Sequence, residues 1–113
     1  MAIKEIKNKA EFERMLQVGG DTFLLFYSPW CPFCLEFAPA FEKLEASSPG
    51  YYCKASVEEL PELEDLFSIE VVPTVLFFRG GILNKRLDGV LDAGLAPENL
   101  AEFVWRCRGI ANK

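Results

Sequence analysis

The 113 residues contain no histidine. No Cys-His or Ser-His pair can form, so catalysis of the protease or hydrolase kind is excluded. Positive charge is also scarce: 12 Lys and Arg stand against 17 Asp and Glu, a net −5. Nothing gathers the basic residues into a stripe, and a surface of this sign repels a phosphate backbone; no nucleic-acid partner is expected. No apolar run reaches the length of a bilayer span, so no membrane partner is expected either. The segment Met1-Ala2-Ile3-Lys4-Glu5-Ile6-Lys7 alternates charged with apolar residues. It lacks the continuous apolar core of a secretory leader, which sets the expectation of a cytoplasmic protein. No glycine-rich phosphate loop is present; Gly80-Gly81 is too short and reads as a hairpin turn. Repeats, linkers and low-complexity stretches are missing as well. The length suits a single domain over residues 1–113.

What is abundant is apolar side chain. Half of the residues are hydrophobic and ten are Phe, enough for one sizeable core and contrary to disorder. The pattern reads β-α-β-α-β-α-β-β-α. Ile3 to Ile6 is a short strand. Asn8 caps a helix, with Glu11 at capping-box spacing and Phe12, Met15 and Leu16 on one face. Gly19-Gly20 ends it. Thr22 to Tyr27 is a strand without alternation, so both of its faces are covered. Cys31 to about Ala46 is a helix in which Pro39 introduces a kink. A turn at Ser47-Ser48-Pro49-Gly50 leads to a strand from Tyr51 to Ala55. A short helix follows, with Pro61 in its first turn and Leu60, Leu63 and Phe67 inward; its acidic run from Glu58 to Asp65 reads as a solvated face. Val75 to Arg79 and Leu83 to Leu87 form a hairpin across Gly80-Gly81. Pro97 opens the last helix, whose inner face is Leu100, Phe103, Val104 and Cys107. Strands alternating with helices predict an α/β fold with helices on both faces of the sheet, and the hairpin adds an antiparallel edge.

Within this order the most informative residues are Trp30-Cys31-Pro32-Phe33-Cys34. The two cysteines fall where a strand has ended and a helix begins. A thiol there meets unpaired backbone N–H groups and the positive end of the helix dipole, and both favour the thiolate. Cys31 and Cys34 lie three residues apart, on one face and within disulfide reach. Cys31 is the expected exposed nucleophile at the cap, and Cys34 sits one turn inward. Pro32 suits the first helical position, which needs no N–H. Trp30 and Phe33 flank the pair and are expected to offer apolar contact to a partner. Together the features point to thiol–disulfide chemistry, which needs no cofactor. Half of a metal site and an inert pair are the alternatives for the spacing alone.

These residues, with Val72-Pro73-Thr74, Gly80-Gly81 and Gly89, resemble the thioredoxin family over nearly the whole chain. The resemblance implies a thioredoxin-like fold with a mixed central sheet. It also implies a protein thiol–disulfide oxidoreductase in which Cys31 attacks and Cys34 resolves. Pro73 is then a cis-proline beside the disulfide, and an apolar rim of Trp30, Phe33 and Pro73 surrounds Cys31. The Val72 backbone pairs with an extended substrate segment, Thr74 follows in the strand, and Gly89 keeps the substrate groove shallow. Lys54 resembles the lysine near the active-site strand. The implied partners are disulfide-containing proteins and a reducing partner, either a disulfide reductase or glutathione; the expected state is a monomer. An adaptor that keeps the fold without turnover is the competing class, but an adaptor needs no thiolate at a helix start.

The chain also departs from that family. Pro-Phe stands between the cysteines, nearer the Pro-Tyr of glutaredoxins than the usual Gly-Pro. The buried aspartate of thioredoxins falls at Leu25, which cannot accept a proton. Cys53, in a central strand, and Cys107, on the last helix's apolar stripe, read as small buried hydrophobes.

Overall fold

The computed structural model describes residues 3–108. Its elements are β1 (Lys4–Glu5), α1 (Lys9–Gln17), β2 (Asp21–Tyr27), α2 (Pro32–Ser47), β3 (Tyr51–Ser56), α3 (Pro61–Leu66), β4 (Thr74–Arg79), β5 (Ile82–Leu87) and α4 (Pro97–Cys107). This is the order read from the sequence. The first strand is shorter than Ile3 to Ile6, and β2, β3, β4 and β5 each extend one residue further than read.

Five strands form one sheet in the order β1-β3-β2-β4-β5. β2 runs parallel to β3, with Leu25 opposite Lys54, and antiparallel to β4, with Phe26 opposite Thr74. The antiparallel part therefore begins at β4, not at the hairpin edge alone. The reason is length. The six residues of α3 rise about 9 Å, whereas a six-residue strand spans about 20 Å. The chain leaves β3 and re-enters the sheet beside the end of β2, so β4 must run back along it.

Both faces of β2 are covered, as its unbroken apolar run requires. Leu24 and Phe26 pack with Phe12, Met15, Leu63 and Phe78 on one side. Phe23 and Leu25 pack with Phe37, Phe41, Val75, Phe103 and Val104 on the other. The successive side chains alternate between two cores because strand residues point to opposite faces.

Local chemistry sets the helix ends. The Asn8 side chain accepts from the Glu11 backbone N–H at 2.9 Å, and the Glu11 carboxylate accepts from Lys7 N–H at 2.8 Å. That is a capping box closed one residue early. The left-handed φ of 78° and 68° at Gly19 and Gly20 turns the chain into β2. α2 continues past Pro39 as one span.

At the end of the sheet away from the cysteine pair, Asp21 accepts from two arginines. Its oxygens lie 3.1 Å from Arg79 Nε and 2.9 Å from Arg108 Nη1. Arg108 also reaches Ser48 and the Pro49 carbonyl. These contacts tie β2, β4 and the ends of α2 and α4 together.

Candidate active site

β2 ends at Tyr27, and the loop through Ser28, Pro29 and Trp30 delivers Cys31 to the N-cap of α2. The Cys31 carbonyl accepts from Cys34 N–H at 3.1 Å and Leu35 N–H at 3.2 Å, starting the helix. Its side chain makes no capping bond. Instead the Sγ lies 3.8 Å from the Val72 carbonyl oxygen, within reach as a weak thiol donor. Cys31 is partly exposed and Cys34 is buried, and all four cysteines are reduced.

The environments of these thiols differ in chemistry. Burial pushes Cys34 up to about 12; a backbone hydrogen bond at Ser28 pulls it down, and the hydrogen bond and charge of Cys31 push it further up. Burial also pushes Cys53 up to about 12 and Cys107 up to about 11. At neutral pH these three are protonated. Cys53 and Cys107 sit inside the two opposite cores, as small hydrophobes do.

Across from Cys31, the Val72-Pro73 peptide bond is cis, as the resemblance implied. Pro73 itself is buried, so it floors the site and does not join the rim. Thr74 corrects the expectation in a second way. It is only 1% exposed and faces inward. Its hydroxyl donates to the Val71 carbonyl at 2.6 Å and accepts from Gly89 N–H at 3.1 Å. Thr74 therefore fixes the backbone on both sides of Pro73 and touches no substrate. A methyl group at Gly89 would run into the Pro73 carbonyl oxygen and press the Val71 side chain at 3.2 Å. That is the physical content of the shallow groove.

Trp30 is 78% exposed, yet held. Its indole Nε1–H donates to Glu58 at 3.0 Å, and the other Glu58 oxygen accepts from Ser28 Oγ at 3.1 Å. The Ser28 hydroxyl in turn accepts from Trp30 N–H at 3.3 Å. The acidic run thus includes one residue with a specific task, and reading Glu58 as part of a solvated face is corrected. No local signal could have found this, because Glu58 comes from the far side of β3. Phe33 is partly buried; Gly94 packs against its ring so closely that an added Cβ would lie 2.7 Å from the Phe33 Cβ. Pro32 is exposed at the first position of α2.

Under α2, Leu25 is 4% exposed. With Ala38, Phe41, Glu42 and Lys54 it lines a cavity of about 20 Å³. Lys54 has no carboxylate at Leu25 to meet. It sits 3.9 Å from Glu5 on β1 and 5.4 Å from the centre of the Tyr27 ring. Tyr27 donates to Glu5 at 2.7 Å, and burial together with that carboxylate raises the phenol well above its ordinary value. Among the described residues, no group of three or more Cys, Asp or Glu is placed to hold a metal ion.

The sheet order, the cis-proline and the paired cysteines at the start of α2 define a thioredoxin-fold thiol–disulfide oxidoreductase. The thioredoxin family model matches residues 3–103, and the chain belongs to that family. It is 30% identical over 99 residues to a thioredoxin of Mycoplasmoides gallisepticum, covering 86% of this chain and 93% of that protein. It is also 30% identical over 108 residues to monothiol glutaredoxin-S17 of Arabidopsis thaliana. That match covers 95% of this chain but only 21% of that longer protein. Among solved structures, reduced Schistosoma mansoni thioredoxin superposes with a TM-score of 0.83 at 19% identity, over 94% of this chain and 98% of that one.

Proposed function

We propose that Cys31 is the attacking thiol and Cys34 the resolving thiol in reversible reduction of protein disulfides. The observation that carries this is the asymmetry of the pair. Cys31 is partly open at the helix N-cap beside the Val72 carbonyl, and Cys34 is closed off one turn below. Cys31 thiolate attacks one sulfur of the substrate disulfide, and the other substrate sulfur leaves as a thiolate. Cys34 then loses its proton and attacks the Cys31 sulfur. The second substrate thiol departs, and the Cys31–Cys34 disulfide remains. Two electrons have passed to the substrate. A dithiol reductant, either a reductase or glutathione, restores the pair.

The timing of the second step follows from what holds Cys34 protonated. Two of the influences raising it come from Cys31: a hydrogen bond and a charge. Both vanish once Cys31 is tied up in the mixed disulfide. Burial remains, and Leu25 accepts no proton, so the first step itself primes the second.

Substrate is held by strand addition at Val72, whose backbone lies beside Cys31 and serves many sequences. Trp30 and Phe33 supply the apolar rim. Turnover of insulin disulfides under dithiothreitol tests the reading. The wild type accelerates reduction, and Cys31→Ser abolishes the acceleration. Equal rates for the two would refute it.

A further inference from the structure

The segment between β5 and α4 is built onto the site at both ends. At one end, Gly89 N–H donates to Thr74, and its Cα sits against the Pro73 carbonyl. At the other end, Gly94 is buried against the Phe33 ring. Between them the chain closes on itself. Val90 N–H donates to the Gly94 carbonyl at 3.0 Å, and the Val90 carbonyl accepts from Ala93 N–H at 2.9 Å and Gly94 N–H at 2.7 Å. The left-handed φ of 64° at Asp92 and 70° at Gly94 makes so tight a turn possible. Residues 89–94 thus run as a strap from Pro73 to Phe33, past the cysteine pair.

The strap carries large apolar side chains that it does not bury. Leu91 is 73% exposed and Val90 58%. A turn that needs only small or polar residues for its geometry has no folding reason to expose leucine at its tip. With Trp30 at 78% exposure, they extend the apolar surface of the rim beyond the residues that flank the cysteines.

We propose that this strap is a specificity element: Leu91, supported by Val90, receives an apolar side chain flanking the disulfide cysteine of a protein partner. The inference rests on the redox reading above and adds the class of substrate. Its surface is continuous with the Cys31–Val72 edge where the partner backbone lies. An extended segment paired at Val72 places its next side chains over neighbouring pockets, and the strap's pinned ends hold Leu91 near that line without a further ordering cost. A small anionic disulfide such as oxidised glutathione gains little here. It cannot span the rim, and Glu58 at Trp30 and Asp92 on the strap oppose its charge.

The test compares insulin with the small neutral bis(2-hydroxyethyl) disulfide, each reduced under dithiothreitol by the whole chain. In Leu91→Ser, the ratio of kcat/KM for insulin to that for the small disulfide falls about fivefold, the loss expected from one exposed apolar contact of about 1 kcal/mol. The fall lies in KM for insulin. Ile82→Ser, an equally exposed residue (72%) at the far end of β5, is the control, and it leaves the ratio in place. A ratio altered less than about twofold in Leu91→Ser, or altered as much in Ile82→Ser, overturns the strap's role. A wild type that turns over neither disulfide contradicts the redox reading itself and the strap with it.

Discussion

The indole of Trp30 is tied to the carboxylate of Glu58 by a 3.0 Å hydrogen bond, although the two residues lie 28 positions apart and the ring is open to solvent. The bond fixes the orientation of a large apolar surface beside Cys31. A partner then meets a ring already in place and does not have to order it.

Glu58→Ala is therefore expected to raise KM for a protein disulfide about threefold and to leave kcat within about twofold, because the chemistry at sulfur is untouched. Stability changes by about 1 kcal/mol or less, as is usual for exposed hydrogen bonds. Steady-state kinetics and thermal melts check both. Of the two tryptophans, Trp30 alone loses its partner, so its emission reports the release.

Alkylation separates the four thiols. With the reduced protein at neutral pH, iodoacetamide labels Cys31 first. Cys34, Cys53 and Cys107 lag, being buried and held protonated. Peptide mapping over time gives the order, and early labelling of Cys53 contradicts the placement of β3.

The same three thiols make the reduced fold sensitive to alkali. Each has a folded pKa raised above its unfolded value near 8.5. The native state therefore keeps protons that the unfolded chain loses, and stability falls as pH rises from about 8.5 toward 11 or 12. Each thiol contributes at most about 1.4 kcal/mol per pH unit. Denaturant melts between pH 8 and pH 10 show this decline, and Cys53→Ala makes it shallower.

Leu25→Asp places a carboxylate beside the cavity that Lys54 lines. Attack by Cys34 on a preformed mixed disulfide is expected to quicken, because the proton gains an acceptor under α2. The cost is about 3 kcal/mol or more of stability, since an apolar contact is lost and a charge is buried. Stopped-flow resolution of the second step decides. An unchanged rate in a folded variant means that proton removal does not limit it.

Thr74→Val keeps the shape of a buried side chain and removes both hydrogen bonds to Val71 and Gly89. The expected cost is about 1–3 kcal/mol, because two backbone groups lose their partner. Protein-disulfide turnover falls with it. A variant with native stability and turnover shows that the backbone around Pro73 is held by other means.

The sequence made legible whatever depends on neighbours in the chain. Cys31 at a helix start, the Asn8 cap and the twofold burial of β2 each follow from local spacing. Relationships across the sheet were hidden. Glu58 read as one acid among several until the fold brought it to Trp30. Thr74 was taken for a substrate contact because a hydroxyl after Pro73 gives no sign of which way it faces. Lys54 was recognised, but its partner Glu5 belongs to β1, a strand of only two residues. The reversal at β4 depends on the length of α3, a boundary that acidic residues on both sides blur.

The central claim is the division of labour between Cys31 and Cys34, and trapping tests it most directly. Cys34→Ser is mixed with a disulfide-containing protein, quenched with acid and mapped by mass spectrometry. The account predicts a stable mixed disulfide on Cys31, no such adduct in Cys31→Ser, and a Cys31–Cys34 disulfide with released substrate in the wild type. An adduct on Cys34, Cys53 or Cys107 in the Cys31→Ser protein, together with retained turnover, would contradict it.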